Sequence, residues 1–201
     1  METTISTTTK SVLLAGVGGQ GILLASEIVA QTAMRCGFDV KTNEVHGMAQ
    51  RGGSVLAQVR YGEMGTVHSP IIPEGTASVL GSLELIESLR YAHFLTPGAW
   101  AIISRQRVIP VTVSSGMAKY PDDAESRIAA TFSHYRLVDA EHLAQRAGTI
   151  RAANVVVLGA IASVLTDLPR EAWETAVADC VKPQHRDLNL GAFAMGYEIG
   201  K

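Results

Sequence analysis

The sequence predicts an α/β fold: one domain built on a mostly parallel sheet with helices on both faces. Three observations lead there. Apolar runs of strand length alternate with longer segments of helical periodicity, as in a parallel sheet flanked by helices. Hydrophobic residues make up 47% of the chain and charged residues 18%, enough to bury a sizeable core. A length of 201 residues suits a single domain.

The elements follow in order. Met1–Lys10 is polar and Thr-rich and reads as a flexible tail, leaving 11–201 as the domain. Ser11–Gly16 (SVLLAG) reads as a buried strand and Gly18–Gln20 as a turn. Gly21–Arg35 reads as a helix stopped by Gly37. Phe38–Asn43 reads as a second strand, so the opening is expected to be a β-α-β unit with a right-handed crossover. Further strands are expected at Ser54–Arg60, Ala77–Leu80, Ala99–Ser104 and Tyr135–Val138, with Pro110–Val113 a weaker candidate. Asp122–Ser133 reads as a helix, opened by a capping box of Asp122 and Glu125. Asn154 suits the N-cap of a helix over Val155–Leu165. Pro169 suits a first helical position before the stripe Trp173, Ala176, Val177, Cys180, Val181. A last helix is expected within Gln184–Ile199. Gly62–Pro73 is a long irregular stretch, in keeping with a contact loop.

Charge and cysteine usage remove several functions. Seventeen Lys and Arg against nineteen Asp and Glu leave a net charge of -2, so a nucleic-acid partner is not expected. Two cysteines exclude a disulfide framework, and they exclude an iron–sulfur or Cys-rich zinc site held by this chain alone. The N-terminal segment lacks the apolar core of a signal peptide, and no apolar run is long enough to cross a bilayer. The expectation is a cytoplasmic protein with no membrane contact.

Two clusters carry chemistry. Gly16-Val17-Gly18-Gly19-Gln20-Gly21 fits G-x-G-x-x-G between a strand and a helix. This is the context of the dinucleotide fingerprint in a Rossmann-like domain, where backbone N–H groups at a helix start face a phosphate. Glu44 stands roughly where an acid would meet a ribose hydroxyl. A simpler reading is that the glycines let the first helix pack closely on the sheet, and Gln20 is an amide that a generic dinucleotide loop does not need. The second cluster, Glu44-Val45-His46-Gly47-Met48-Ala49-Gln50-Arg51-Gly52-Gly53-Ser54, follows the second strand, at the carboxyl edge where open α/β sheets bind ligands. Arg51 among three glycines is suited to hold a phosphate or carboxylate bidentately, or else to form a surface ion pair. His46 has no partner at metal-ligand spacing.

The segments AGVGGQGILLASEIVAQTA, EVHGMAQRGGSV, SPIIPEG, ELIESLRYAHFLTPG and NVVVLGA together resemble the gamma subunit or domain of the 2-oxoacid:ferredoxin oxidoreductases. Within that family EVHGMAQRGG is more similar to the indolepyruvate, aryl-pyruvate branch. The resemblance covers most of the chain. It implies oxidative decarboxylation of a 2-oxoacid with coenzyme A to an acyl-CoA and carbon dioxide, with electrons passed to ferredoxin. It implies thiamine diphosphate with Mg and [4Fe–4S] clusters on a large alpha subunit, none of them held by this chain. The absence of a Gly-Asp-Gly metal motif and of a Cys run agrees with that division. The resemblance further implies that this subunit completes its partner's active site. Gly16, Gly18, Gly19, Gln20 and Gly21 match the family's glycine loop, and Glu44, His46, Gln50, Arg51, Gly52, Gly53 and Ser54 its second loop. Arg51 is then expected near the coenzyme A or active-site entrance. Ser69 and Pro70 match an interface loop, and Asn154 the residue before the late helix. No catalytic acid, base or nucleophile and no metal ligand is assigned here. Two other functions stay open: a stand-alone NAD- or FAD-binding module, and a purely structural subunit that touches no ligand.

Overall fold

The computed structural model describes residues 9–47 and 52–200. The chain runs β1 (Lys10–Val17), α1 (Ile22–Arg35), β2 (Asp39–His46), β3 (Ser54–Gly62), β4 (Ala77–Ser82), α2 (Leu85–Arg90), β5 (Leu95–Ser104), α3 (Val111–Ser114), α4 (Ala124–Thr131), β6 (His134–Val138), α5 (Ala140–Ala147), α6 (Ala153–Val164), α7 (Arg170–Cys180) and α8 (Arg186–Gly200). The strands form one six-stranded sheet in the order β2-β3-β1-β4-β5-β6. β1, β4, β5 and β6 pair in parallel, and β3 is antiparallel to both β1 and β2. Five of these strands therefore point one way, which agrees with the expected mostly parallel sheet.

The expected β-α-β opening is split. β2 does run parallel to β1, but β3 lies between them and pairs with each. Pattern alone locates strands and leaves their lateral order open, because β3 returns through the Gly47–Gly53 connection and inserts beside β1. α3 replaces the expected strand at Pro110–Val113, where the amides of Val113 and Ser114 bond back to the carbonyl of Pro110. The Asp122 capping box does not form. α4 begins at Ala124 with no side-chain cap, and Asp123 instead accepts the Nε–H of Arg127 at 2.9 Å. β1 already begins at Lys10, whose ammonium lies 2.6 Å from Asp167.

Side chains alternate between two cores. Val12 and Leu14 of β1 face the larger one, with Ile28 of α1, the apolar length of α6, Trp173 of α7 and Phe193 of α8. Leu13 and Ala15 face the smaller one, with Leu85 of α2 and Ile128 of α4. Helices thus cover both faces, which is why β1 is apolar at nearly every position. α6 and α8 touch backbone to backbone. A Cβ on Gly159 would stand 2.1 Å from the carbonyl oxygen of Phe193, and one on Gly196 1.9 Å from that of Val156. The partly buried thiols of Cys36 and Cys180 pack against the larger core, and burial raises both above the usual thiol range.

Candidate functional site

At the carboxyl edge of the sheet the glycine loop connects β1 to α1. Gly21 adopts φ 79° before the helix, and a Cβ there would meet the Asn154 amide nitrogen at 2.6 Å. Glycine is required on both counts. Gly16 closes β1 against Gln20, whose Oε1 would lie 2.7 Å from an added Cβ.

Gln20 holds three strand ends together. Its Oε1 accepts the amide of Val17 at 2.7 Å, and its Nε2 donates to the carbonyl of Leu83 at 2.8 Å and to Oε1 of Gln106 at 2.6 Å. Gln106 passes the chain on, its Nε2 reaching Glu141 at 2.7 Å. The amide that looked superfluous to a nucleotide loop is a crosspiece joining the ends of β1, β4 and β5. Donors that a phosphate would want are engaged within the chain. The N–H groups of Val17, Gly18 and Gln20 go to Gln20 Oε1, the Gly53 carbonyl at 2.8 Å and the Val17 carbonyl at 3.1 Å.

Asn154 is not the N-cap of the late helix. It is the second residue of α6, and its Nδ2 donates to the Gly21 carbonyl at 3.0 Å, so it ties the late helix to the glycine loop. Spacing hid this role, because the partners lie far apart in sequence.

The two sequence clusters do meet. The bond from Gly18 to Gly53 brings the loop beside the start of β3. His46 and Gly18 line one hollow of about 460 Å³ with Gly19, Ile22 and Leu23. A second hollow, of about 230 Å³, lies against Gly19, Gln20, Glu141 and Asn154. A third, of about 220 Å³, is bounded by Gly52, Ser54 and two acids that sequence reasoning missed, Glu84 and Glu87. Ser54 donates its hydroxyl to Glu87 and lies 2.9 Å from the Tyr91 hydroxyl, while Glu87 also takes the Nε–H of Arg90 at 2.9 Å. Glu84 is buried and fully engaged. One oxygen caps α2 at the amides of Ile86 (2.7 Å) and Glu87 (3.0 Å), and the other accepts from Val108 (3.2 Å) and the Tyr120 hydroxyl (2.7 Å). Burial and the bond to Glu84 push Tyr120 well above the usual phenol range. Glu84 two residues after the apolar end of a strand, ahead of a helix, was the available signal: a carboxylate at an N-cap.

Glu44 is exposed and accepts the hydroxyl of Ser26 at 2.9 Å. Ser69 lies apart from this edge. Its carbonyl accepts from Arg60 and its hydroxyl from the amide of Ile71, and Arg60 pairs with Ser11 near the amino end of β1. Gln50 and Arg51 lie outside the described residues. Among the described residues no group of three or more His, Cys, Asp or Glu is placed to hold a metal ion. The chain's two thiols, half the four that a [4Fe–4S] cluster takes, do not fit one.

A mostly parallel α/β domain with hollows along the carboxyl edge of its strands, around a glycine loop, is of the Rossmann-like class. Residues 11–199 match the family described as pyruvate ferredoxin/flavodoxin oxidoreductase, and the chain belongs to it. It is 42% identical over 190 residues to indolepyruvate oxidoreductase subunit IorB of Archaeoglobus fulgidus, covering 93% of each chain. It is 38% identical to the subunit of the same name from Thermococcus kodakarensis, covering 95% of this chain and 96% of that one. The fold resembles the gamma subunit of a keto/oxoacid ferredoxin oxidoreductase from Geobacter sulfurreducens, with TM-score 0.69 and 24% identity over 95% of this chain and 98% of that one. A 2-oxoglutarate:ferredoxin oxidoreductase from Magnetococcus marinus gives TM-score 0.71 and 18% identity over 96% of this chain and 31% of that one. No helix among the described residues is long and apolar enough to cross a membrane.

Proposed function

We propose that this chain is the small subunit of an indolepyruvate:ferredoxin oxidoreductase. The complex would convert indolepyruvate or another aryl pyruvate with coenzyme A into the aryl-acetyl-CoA and carbon dioxide, passing two electrons to ferredoxin. The observation that carries this reading is similarity at 42% and 38% identity, across nearly full length, to subunits of that name. A large alpha subunit holds thiamine diphosphate with Mg and the [4Fe–4S] clusters, which supply the carbanion and electron chemistry. The setting is the cytoplasm.

On this reading the chain contributes surface. The glycine loop, His46, Gly52, Gly53 and Ser54 shape the carboxyl edge, and the amide of Gln50 and the guanidinium of Arg51 are the groups this reading assigns to coenzyme A or the thiamine cofactor. The stand-alone dinucleotide module is disfavoured, because three loop N–H groups are engaged within the chain and Glu44 is paired with Ser26.

The test is steady-state kinetics of the complex assembled with Arg51→Ala. A charge-assisted hydrogen bond contributes about 1.5–3 kcal/mol. The apparent KM for coenzyme A should therefore rise, or kcat fall, by roughly tenfold to a hundredfold. Arg51→Lys should recover part of the loss, since it keeps the charge without the bidentate fork. Wild-type kinetics in an intact complex would leave Arg51 a surface charge and favour a purely structural subunit.

A further inference from the structure

Two buried carboxylates, Glu84 and Glu87, stand at the start of α2. Glu84 is accounted for, since it caps the helix. Glu87 is not. α2 packs into the smaller core through Leu85, with Ile86 and Leu89 at its margin. Glu87 is 6% exposed, and burying a carboxylate is costly unless hydrogen bonds replace its water. Its pair with the exposed Arg90, one turn on, is of a kind that contributes little. Its other oxygen takes the hydroxyl of Ser54, from a different element. The Tyr91 hydroxyl lies 2.9 Å from the same Ser54 oxygen, and the Tyr91 ring is held beside Phe94. The hydroxyl of Ser54 is therefore gripped from α2 on two sides.

Ser54 is where the second cluster becomes strand: it opens β3, opposite Val17. Gly53 and Gly52 precede it, and Gly52 adopts φ 77°. Two successive glycines hold no shape of their own, because their backbone takes either sign of φ. The first side chain after them is that of Ser54, and Glu87 fixes it. Gly53 in turn accepts the Gly18 amide at 2.8 Å, so what fixes Gly53 also fixes the second cluster against the glycine loop. We propose that Glu87 is a positioning residue for the reaction of the complex. Acting through Ser54, it sets the Gly52–Gly53 turn and the bond from Gly53 to the glycine loop. Its consequence for turnover rests on the oxidoreductase reading above; the link from Glu87 to Gly18 does not.

The experiment is amide hydrogen exchange of the full chain, read residue by residue by NMR, together with kinetics of the assembled complex. Glu87→Ala should speed exchange at the Gly18 amide roughly tenfold, as loss of one hydrogen bond to a charged group does. The amide of Leu168, bonded to the Leu165 carbonyl at 3.2 Å elsewhere in the fold, should exchange as before. Glu87→Gln keeps an acceptor for the Ser54 hydroxyl and should restore most of the protection. Ser54→Ala should match Glu87→Ala, and the double variant should add little, because both cut the same link. In the complex, Glu87→Ala should raise the apparent KM for coenzyme A, or lower kcat, by roughly tenfold, with Glu87→Gln near wild type. The proposal is overturned if Gly18 exchange is unchanged, or if it rises no more than that of Leu168, which would leave Glu87 a contributor to overall stability alone. Additive effects of Ser54→Ala and Glu87→Ala overturn it too. So do wild-type kinetics for Glu87→Ala in a complex that Arg51→Ala impairs. If Arg51→Ala is silent as well, the reading of this edge as part of the active site is what fails, and faster Gly18 exchange still supports the link.

Discussion

Gln20 shows how much one side chain can hold. Truncation to Ala removes three hydrogen bonds and leaves the Val17 amide and the Leu83 carbonyl to find other partners. At about 1 kcal/mol net per bond, Gln20→Ala should cost about 2–3 kcal/mol, read as a lower urea midpoint with an unchanged slope. Tyr61 makes a different statement. It is buried, its hydroxyl donates to Asp167 at 3.0 Å, and burial followed by the Asp167 charge pushes it far above the usual phenol range. A phenol favoured as its neutral form in the folded state contributes stability that is complete below its unfolded value of about 10 and lost as pH rises past it. Stability of the wild type should therefore fall above about pH 10 more steeply than that of Tyr61→Phe, which has no phenol to ionise there. Equal alkaline slopes in urea titrations of the two would reject this account.

Among the elements, β1, α1, β3 and α7 were legible because each has an apolar pattern that decides its own type. The lateral order of β2 and β3 was not, since it depends on pairing that no local pattern encodes. Nor was the helical turn at Val111–Ser114, where β-branched residues suggested a strand and the Pro110 carbonyl offered a turn instead. At the candidate site the glycine loop and its neighbour cluster were legible as motifs. The Gln20 crosspiece and the Asn154 tie were not, because their partners lie in other elements, whereas the Glu84 cap was missed although the amides it takes are two and three residues away. α6 and α8 give the sharpest element-scale prediction. Gly196→Ala places a methyl into the Val156 carbonyl, which forces the helices apart and should cost about 1–3 kcal/mol or more in thermal unfolding. The irregular stretch before β4 divides its two isoleucines. Ile72 is 1% exposed and Ile71 is 51% exposed. Of the contact loop expected at Gly62–Pro73, then, Ile72 turns inward and anchors the stretch in the smaller core, which leaves Ile71 as the isoleucine it presents. Ile72→Ala should cost about 2–5 kcal/mol of stability. Ile71→Asp should leave the fold intact and weaken co-purification with the large subunit; undiminished recovery of the complex would place the interface elsewhere.

For the whole molecule, the sheet separates two cores, and three hollows collect at its carboxyl edge. The same sheet has a consequence for how the chain assembles. β1 is the first strand in sequence, yet it sits in the interior of the sheet between β3 and β4. Both of its neighbours are distant along the chain, whereas β2 and β3 form a hairpin of close neighbours. Contacts between sequence-distant segments carry a large loop-closure entropy and form late. The most apolar strand of the protein therefore waits, unpaired, while the hairpin that will flank it takes shape. A nascent chain carries that exposed segment until β3 and β4 have both been made, which is the interval in which a chaperone would find it.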